Sequence, residues 1–369
     1  MEKNLILICL DGARSDFARK SKILREFLPG TLFFSKSITY APYTNSSVCA
    51  VVSGCYGNRN GCNSYWNSEK FDHDNFKTLM MYLKDKNFRT IADIHNDWVL
   101  PQIGFDEYRI YDEDNVDLTK RHPALIEEIN KKNNQKFFIY LHYETIHTTI
   151  RKEILEKYNN FSKDYFNNKT KNLERYSTLF QGAEEYLKKI FEKIIELNLD
   201  KNSLIMIYSD HGISLGEKYG ERAYGAFCYD YTIKSFVSLI SNEFNKKEIQ
   251  QQVRHVDFLP TILEKLNIPF DENFQNFDGI SLIPLIHENK IDDLSAYIET
   301  GNPLQESETP KNPNTKAIRY KEWKLIYNEY NNSKELYDLD NDPNEENNLI
   351  NKDLEIENVL WQELLKHQV

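Results

Sequence analysis

Five short apolar runs, separated by longer amphipathic tracts, constrain the fold more than any other feature of this sequence. The runs are NLILICL, FRTIADI, FFIYLHY, SLIMIYS and FVSLIS. Helical periodicity marks residues 75–84, 174–197 and 259–266. Short β-type runs that alternate with helical tracts are typical of a parallel sheet covered by helices. The pattern predicts an α/β three-layer sandwich with a mainly parallel central sheet.

The last part of the chain has a different pattern. A turn-rich stretch at 302–314 precedes two aromatic, strand-like runs, KEWKLIYNEY and ELYDL, and a predicted closing helix at 353–366. We predict a main domain over residues 1–300 and a small sheet-and-helix subdomain over residues 301–369, packed on it. The Lys- and Asn-rich segments at 131–136 and 157–171 are interpreted as solvated surface or an inserted loop.

Charge and composition narrow the classes of partner. The 369 residues carry a net charge of -11, with a pI near 5.4, which argues against nucleic acid or an anionic membrane as a partner. No apolar run approaches the about 20 residues that a membrane span needs. We therefore expect a soluble, cytoplasmic protein with no membrane span. The five cysteines lack a paired CxxC pattern, which predicts reduced, structural thiols. The oligomeric state stays open.

Acidic residues follow two of the predicted strands. Asp11 comes directly after NLILICL, and Asp210 and His211 come directly after SLIMIYS. Taken singly, each acid is equally well explained as a turn residue or a helix cap. In open α/β sheets, however, ligands gather at the carboxyl ends of the strands. Together with the adjacent histidine, the two acids predict a site for one divalent cation. Zn²⁺ or Mn²⁺ suits these ligands best, with Ca²⁺ and Mg²⁺ as alternatives.

The stretch YAPYTNSSVCAVVSG, residues 40–54, offers several nucleophiles within six residues: Thr44, Ser46, Ser47 and Cys49. Cys49 lies beside an apolar run, where a buried structural thiol is the more common occurrence. The residues alone do not decide among the three hydroxyl groups.

Motifs along nearly the whole chain resemble those of the sulfatase family in the alkaline phosphatase superfamily. The segments that carry the resemblance are, in order, LICLDGARSD, APYTNSSVCAVVSGCYGNRNG, YLHYETIH, SDHGISLGE, HVDFLPTILEKLNIP with DGISLIPLI, and KLIYNEYNNSKELYDLDNDPNEENNL. Their shared order is more specific than any one of them. The resemblance places Thr44 at the nucleophile position of the family.

The identity of that residue bears on the reaction. Sulfatases proper need Cys or Ser at this position, because it is oxidised to formylglycine, and threonine cannot give that aldehyde. Relatives that keep threonine are phosphoryl-transfer enzymes: nucleotide pyrophosphatase/phosphodiesterases, phosphoethanolamine transferases and glycerol-phosphate transferases. The resemblance therefore implies a metal-dependent hydrolase or transferase of phosphate (di)esters or phosphonates. Its substrate would be an anionic small molecule or a glycan-linked phosphoester. A sulfatase and a non-catalytic binding protein of the same fold are the alternatives.

The resemblance also implies roles for individual residues. One cation would be held by Asp11, Thr44, Asp210 and His211, and it would lower the pKa of the Thr44 hydroxyl. Gly12 stands where many sulfatases have a second acid, which favours a transition metal over Ca²⁺.

Further positions complete the predicted site. His147 and His255 are predicted to act in catalysis, by contacting the substrate's oxygens or protonating the leaving group. We favour one cation, because Tyr143 and Thr145 stand where two-metal relatives have an Asp, with Glu144 nearby. His142 is interpreted as a core histidine. The predicted substrate-binding residues are Lys218, Arg222 and Tyr224, although such residues in a Gly-rich loop are often only solvated.

Overall fold

A central sheet of nine strands forms the middle layer of the structure. A computed structural model of the chain describes residues 4–131, 135–287, 291–303 and 310–367. The strands are β1 (Asn4–Leu10), β2 (Thr31–Ile38), β3 (Arg89–Ile94), β4 (Glu107–Ile110), β5 (Phe137–Tyr143), β6 (Ser203–Tyr208), β7 (Lys234–Ile240), β8 (Lys247–Ile249) and β9 (Val253–Arg254). Their order is β4-β3-β5-β1-β6-β7-β2-β8, with β9 also paired to β2. Strands β4, β3, β5, β1 and β6 are mutually parallel, and β7 runs antiparallel to both of its neighbours.

Helices cover both faces of this sheet. They are α1 (Ser15–Ala18), α2 (Lys22–Glu26), α3 (Thr44–Ser53), α4 (Gly57–Asn60), α5 (Leu79–Asp85), α6 (Leu118–Lys131), α7 (Thr145–Ile150), α8 (Lys163–Phe166), α9 (Lys169–Glu196), α10 (Asp230–Ile233), α11 (Phe258–Lys265), α12 (Ile283–Ile286) and α13 (Glu355–Leu365). Short 3-10 helices span Tyr65–Lys70, Leu199–Lys201 and His255–Asp257, and a π-helical turn spans Arg151–Leu155. Among the described residues, no helix is long and apolar enough to cross a membrane.

The central strand β1 explains why its sequence is continuously apolar. Ile6, Ile8 and Leu10 pack into the core under α6 and α9, whereas Leu5 and Leu7 pack into a second core under α3, α5 and α11. A strand that is buried on both faces needs apolar side chains at every position. The predicted three-layer α/β fold with a mainly parallel sheet is therefore confirmed.

The predicted elements form with shifted ends. All five predicted strands are present, as β1, β3, β5, β6 and β7, but the segment TLFFSKSI that forms β2 was not predicted. The helix predicted from residue 75 begins at Leu79, because the Thr78 side chain accepts the N–H of Met81 and caps it. The helices predicted at 174–197 and 259–266 are α9 and α11.

Most residues of 157–171 are exposed or partly exposed, as predicted for solvated surface, but the segment is helical and not an inserted loop. Helix α8 and the start of α9 lie there, and Tyr165 and Phe166 are buried. The Tyr165 hydroxyl donates to the carbonyl of Ser214 at 2.6 Å, so the segment supports the loop that follows β6. In the segment 131–136, residues 132–134 lie outside the described part of the chain.

A second, antiparallel sheet contains β10 (Ala296–Thr300), β11 (Thr315–Tyr320), β12 (Trp323–Asn328) and β13 (Ser333–Asp338). Helix α13 packs on β11 and β12 through Leu360 and Leu364. The first strand of this sheet, β10, lies within the predicted main domain. The division into domains at residue 300 stays a prediction. Residues 304–309 of the predicted turn-rich stretch lie outside the described residues.

All five cysteines are buried and free, as predicted.

Gly30 provides a test of the contact between β2 and β7. Its φ is +73°, and a Cβ placed there would lie 1.9 Å from the backbone oxygen of Ser241. Gly225 has a φ of +91°, yet no heavy atom lies within 4 Å of its Cβ position. We expect Gly225→Ala to cost about 1–2 kcal/mol for the left-handed backbone alone. Gly30→Ala should lower the free energy of unfolding, measured in urea, by clearly more than Gly225→Ala does. Equal decreases in the two variants would show that the close approach to Ser241 does not affect stability.

Glu221 provides a second test, because this carboxylate is fully buried. Its Oε1 accepts the N–H groups of Ala226 and Phe227 at 2.8 and 2.9 Å, and Oε2 accepts the hydroxyl of Tyr231 at 2.6 Å. Burial raises the pKa of Glu221 to about 7. The folded state therefore binds a proton more tightly than the unfolded state does. The contribution of Glu221 to the free energy of unfolding is therefore complete below about pH 4.5, and it is lost as the pH rises through about 7.

Glu221→Gln removes the charge and keeps an oxygen that can accept both N–H groups. We expect the melting temperature of the variant to exceed that of the parent at pH 8 and the difference to shrink towards pH 5. The gain should be about 1–3 kcal/mol, since each pKa unit is worth about 1.4 kcal/mol. Glu174→Gln at an exposed position of α9 is the control. A difference that does not vary with pH would refute the raised pKa of Glu221.

Candidate functional site

Neighbouring strand ends bring the predicted acids together. Strands β1 and β6 are adjacent and parallel, with Cys9 opposite Tyr208, so the residues after them share one edge of the sheet. Asp11, Asp210 and His211 are each at most 1% exposed. Thr44 is the first residue of α3 and is half-buried, whereas the rest of that helix is buried.

The side chains of this cluster converge on one point. Nε2 of His211 lies 3.5 Å from Oδ1 of Asp11 and 3.6 Å from Oδ2 of Asp210. Within the described part of the chain, these three atoms are buried and have no hydrogen-bond partner. Buried polar atoms are normally partnered, and unpaired buried charges are costly. Two carboxylate oxygens and an imidazole nitrogen left free in this way fit a divalent cation.

The ligand atoms are oriented by neighbouring hydrogen bonds. Oδ1 of Asp210 accepts the N–H of Gly12 at 3.1 Å and the N–H of His211 at 2.9 Å, which leaves Oδ2 free. Nδ1 of His211 donates to the carbonyl of Gly212 at 2.8 Å, so Nε2 carries the lone pair. Gly12 adopts a φ of +72°, which glycine tolerates better than the acid found there in many sulfatases.

The two acids have opposite electrostatic environments. Burial opposes ionisation of Asp11, but the charge of His147 and the hydrogen bond with His142 hold the pKa of Asp11 well below its ordinary value. Burial and the charge of Asp11 raise the pKa of Asp210. A divalent cation between the two would allow both to be ionised, because it would offset their repulsion.

Thr44 is the hydroxyl group that faces this cluster. Its Oγ1 donates to Oδ2 of Asp11 over 3.3 Å. Ser47 instead donates to the backbone oxygen of Asp210 at 2.8 Å, and Ser46 lies 3.9 Å from the sulfur of Cys62. The geometry therefore favours Thr44 among the candidate hydroxyl groups.

His142 has a role that the sequence interpretation missed. It is fully buried, as expected for a core histidine, but its Nε2 lies 3.2 Å from Oδ2 of Asp11. Burial would lower the pKa of His142, yet the hydrogen bond and charge of Asp11 raise it above its ordinary value. The available signal was its place at the carboxyl end of β5, where it pairs with Cys9 of β1.

The rings of Tyr224 and His147 lie beside the cluster. The ring of Tyr224 lies 4.6 Å from that of His211 and 5.8 Å from that of His147, between centroids. Burial and the charge of Asp11 raise the pKa of the Tyr224 phenol well above its ordinary value, so it stays protonated and can donate. The structure therefore brings His147 and Tyr224 to the site, and their roles stay predictions.

His255, a predicted catalytic residue, is buried, and its role stays a prediction. Its Nδ1 lies 3.0 Å from Oγ of Ser47 and its Nε2 lies 2.8 Å from Oγ of Ser235, so both ring nitrogens are engaged inside the protein. Burial, together with the charge of His211, lowers the pKa of His255 to about 3. A neutral imidazole in this place positions α3 through Ser47.

Lys218 is placed away from the cluster. Its amino group donates to the backbone oxygen of Glu345 and lies 4.8 Å from the ring centroid of Tyr229, so it joins the loop to the C-terminal part of the chain. Its predicted substrate contact stays a prediction. Arg222 donates to Oδ1 of Asn160 at 3.0 Å, and its role stays a prediction.

A second group of ligating side chains lies beside the first. His95, Glu113 and His147 each offer an atom within 4.8 Å of the others. His95 and Glu113 were not predicted. His95 directly follows β3 and Glu113 is the third residue after β4, so the strand-end argument that identified Asp11 would also have selected His95.

Solved structures share this fold. A phosphonate monoester hydrolase of Agrobacterium radiobacter has a TM-score of 0.77 at 13% identity, covering 99% of this chain and 95% of that one. BT4656, in complex with its substrate D-glucosamine-2-N,6-O-disulfate, has a TM-score of 0.73 at 15% identity, covering 100% and 98%. BT1596, a 2-O GAG sulfatase, has a TM-score of 0.75 at 15% identity, covering 99% and 91%. No curated protein sequence matches the chain.

Two family models match the sequence itself. The model for the C-terminal region of N-sulphoglucosamine sulphohydrolase matches residues 227–369. The sulfatase model matches residues 3–268, which is more than half of the chain, and together they cover both sheets. The chain therefore belongs to the sulfatase family.

Proposed function

We propose that this sulfatase-family hydrolase transfers a phosphoryl-type group through Thr44, from a phosphate ester, phosphate diester or phosphonate to water or to an acceptor alcohol. The observation that carries the proposal is the Thr44 hydroxyl, 3.3 Å from Asp11 at the edge of the cation-type cluster. Sulfatases use a cysteine or serine there, which is converted to an aldehyde, and threonine lacks that chemistry.

The chain's own residues prepare Thr44 for attack. Asp11 accepts its hydrogen bond and orients the oxygen. His142 forms a further hydrogen bond with the same carboxylate oxygen of Asp11 and so fixes its position. Thr44 begins the ten-residue α3, whose N-terminal end favours an anionic group nearby. A divalent cation held by Asp11, Asp210 and His211 would supply Lewis-acid chemistry, offsetting negative charge on the reacting oxygens.

The reaction would proceed in two displacements. In the first, the bond between Thr44 Oγ1 and phosphorus forms as the bond to the leaving oxygen breaks. The hydroxyl proton of Thr44 leaves towards Asp11, which accepts its hydrogen bond, and the leaving oxygen takes up one proton from water. In the second, water or an alcohol attacks the phosphorus and releases Thr44. Tyr224, whose ring centroid lies 4.6 Å from that of His211, would donate to an oxygen of the transferred group.

Sulfate-ester hydrolysis is the second candidate. It is favoured by the match of residues 227–369 to the C-terminal region of N-sulphoglucosamine sulphohydrolase. The complex of BT4656 with a disulfated glucosamine likewise supports an anionic, glycan-type substrate. A sulfate ester and a phosphate ester are both tetrahedral anions, so the cation cluster suits either. Thr44 is the feature that favours phosphorus.

Replacement of Thr44 tests the proposal. The purified, metal-stripped protein is assayed with p-nitrophenyl phosphate, bis-p-nitrophenyl phosphate, a phenylphosphonate ester and p-nitrophenyl sulfate, each with Mn²⁺, Zn²⁺, Mg²⁺ or Ca²⁺ restored. We expect turnover of a phosphorus ester with Mn²⁺ or Zn²⁺. Thr44→Ala should lower kcat by at least about 10³-fold, because it removes the attacking oxygen. Thr44→Ser should keep much of the activity, since it keeps the hydroxyl.

Ser46→Ala is the matched control, because Ser46 lies in the same helix and is buried away from Asp11. It should leave kcat close to that of the parent. Activity on the sulfate ester alone would refute phosphoryl transfer and support sulfate-ester hydrolysis, the second candidate. Full activity of Thr44→Ala on a phosphorus ester would refute Thr44 as the nucleophile. A protein that turns over none of the esters and binds no cation would indicate a non-catalytic member of the family.

A further inference from the structure

We propose that His95, Glu113 and His147 form a second divalent-cation site beside the first, so that the centre holds two cations. Cation binding at this site follows from the side chains alone. Its part in the reaction rests on the proposed function.

Three neighbouring strands deliver these ligands to one place. Strands β4, β3 and β5 are adjacent and parallel. Glu113 follows β4, His95 follows β3, and His147 lies in α7, which begins two residues after β5. Carboxyl ends of parallel strands meet at the same edge of the sheet, and one atom from each side chain lies within 4.8 Å of the others. A contact set built from three separate elements is fixed by the fold and not by one flexible loop.

Two of the ligand side chains contain unsatisfied atoms. The Nδ1 atoms of His95 and His147 are buried and lack a hydrogen-bond partner among the residues that the structure describes. A ring nitrogen that is removed from water and left unpaired carries a desolvation cost, which coordination of a cation would remove. The side chains are otherwise partly exposed, so a cation has a path from solvent.

Glu113 is held as ligating carboxylates usually are. Thr148 donates its hydroxyl to Oε2 at 2.5 Å, and a nitrogen of Arg151 lies 3.4 Å from Oε1. Outer contacts of this kind orient a ligand, and each carboxylate oxygen keeps a further lone pair. Arg151 also binds Asp114 at 3.0 Å and Glu156 at 2.9 Å, so its positive charge is shared among several acids. We expect the second site to be weaker than the first.

Ring contacts connect the two sites. The ring of His95 lies 5.0 Å from that of His142, which contacts Asp11. The ring of Tyr224 contacts both His147 of the second group and His211 of the first, with centroids 5.8 and 4.6 Å apart. Two imidazoles and a carboxylate with open positions suit Zn²⁺ or Mn²⁺.

In the proposed reaction, two neighbouring cations would offset charge on both the attacking and the leaving oxygen. A second cation would thereby replace the proton-donor role predicted for His147, because the leaving oxygen could depart as an anion. The metal-binding test does not depend on this role.

The test counts cations on the metal-stripped, full-length protein. Mn²⁺ is titrated by calorimetry, its content is measured by mass spectrometry after gel filtration, and the loaded protein is studied by electron paramagnetic resonance. We expect two equivalents in the parent and the signal of a coupled pair. His95→Ala and Glu113→Gln should each bind one equivalent and give a six-line, single-ion signal. Asp210→Asn should lose the tighter site and keep the weaker one.

His73→Ala is the control for binding at surface histidines, because His73 is exposed and distant in sequence from both groups. It should keep both equivalents. Circular dichroism confirms that each variant is folded. One equivalent in the parent, lost in Asp210→Asn and kept in His95→Ala, would overturn the inference and leave the proposed function intact. Two equivalents that depend on His95, in a protein inactive on every ester, would support the inference and refute the proposed function.

Discussion

The burial of two carboxylates side by side is the constraint around which the rest of the site is arranged. Asp11 and Asp210 are at most 1% exposed, and each keeps an oxygen with no hydrogen-bond partner in the described part of the chain. Like charges in a low-dielectric interior repel strongly, so such a pair persists only with compensation. His142 and His211 supply part of it. The remaining free atoms converge where a divalent cation would complete the compensation.

The surrounding structure holds that pair in place. The parallel pairing of β1 with β6 fixes the separation of the two acids, and β5 on the other side of β1 brings His142 to Asp11. On the opposite side, His255 and Ser47 connect α3 to the backbone of Asp210. The position of Thr44 therefore depends on contacts that never touch a substrate. A change at His255 would act on the reaction through α3.

Prediction from sequence succeeded where one local pattern was sufficient. The strands β1 and β6 are continuous apolar runs, so their ends, and with them Asp11 and Asp210, could be located without a structure. The surroundings of His255 could not be predicted, because its neighbours in sequence do not reveal that Ser47 and Ser235, from distant segments, contact both ring nitrogens. His95 was overlooked although it follows a predicted strand as Asp11 does, whereas Glu113 was missed because β4 was not predicted and its place beside β3 is a long-range property of the sheet.

The number of cations and the choice of substrate are physically linked. At neutral pH a phosphate monoester carries close to two negative charges, whereas a sulfate monoester and a phosphate diester carry one. Each added cation strengthens the attraction for the more highly charged group, and more so in a pocket that excludes water. A centre with only the Asp11 and Asp210 cluster would balance a singly charged ester, such as a diester. Occupation of the His95, Glu113 and His147 group as well would shift the preference towards monoesters. Comparing His95→Ala with the parent on p-nitrophenyl phosphate and bis-p-nitrophenyl phosphate would therefore relate metal content to specificity.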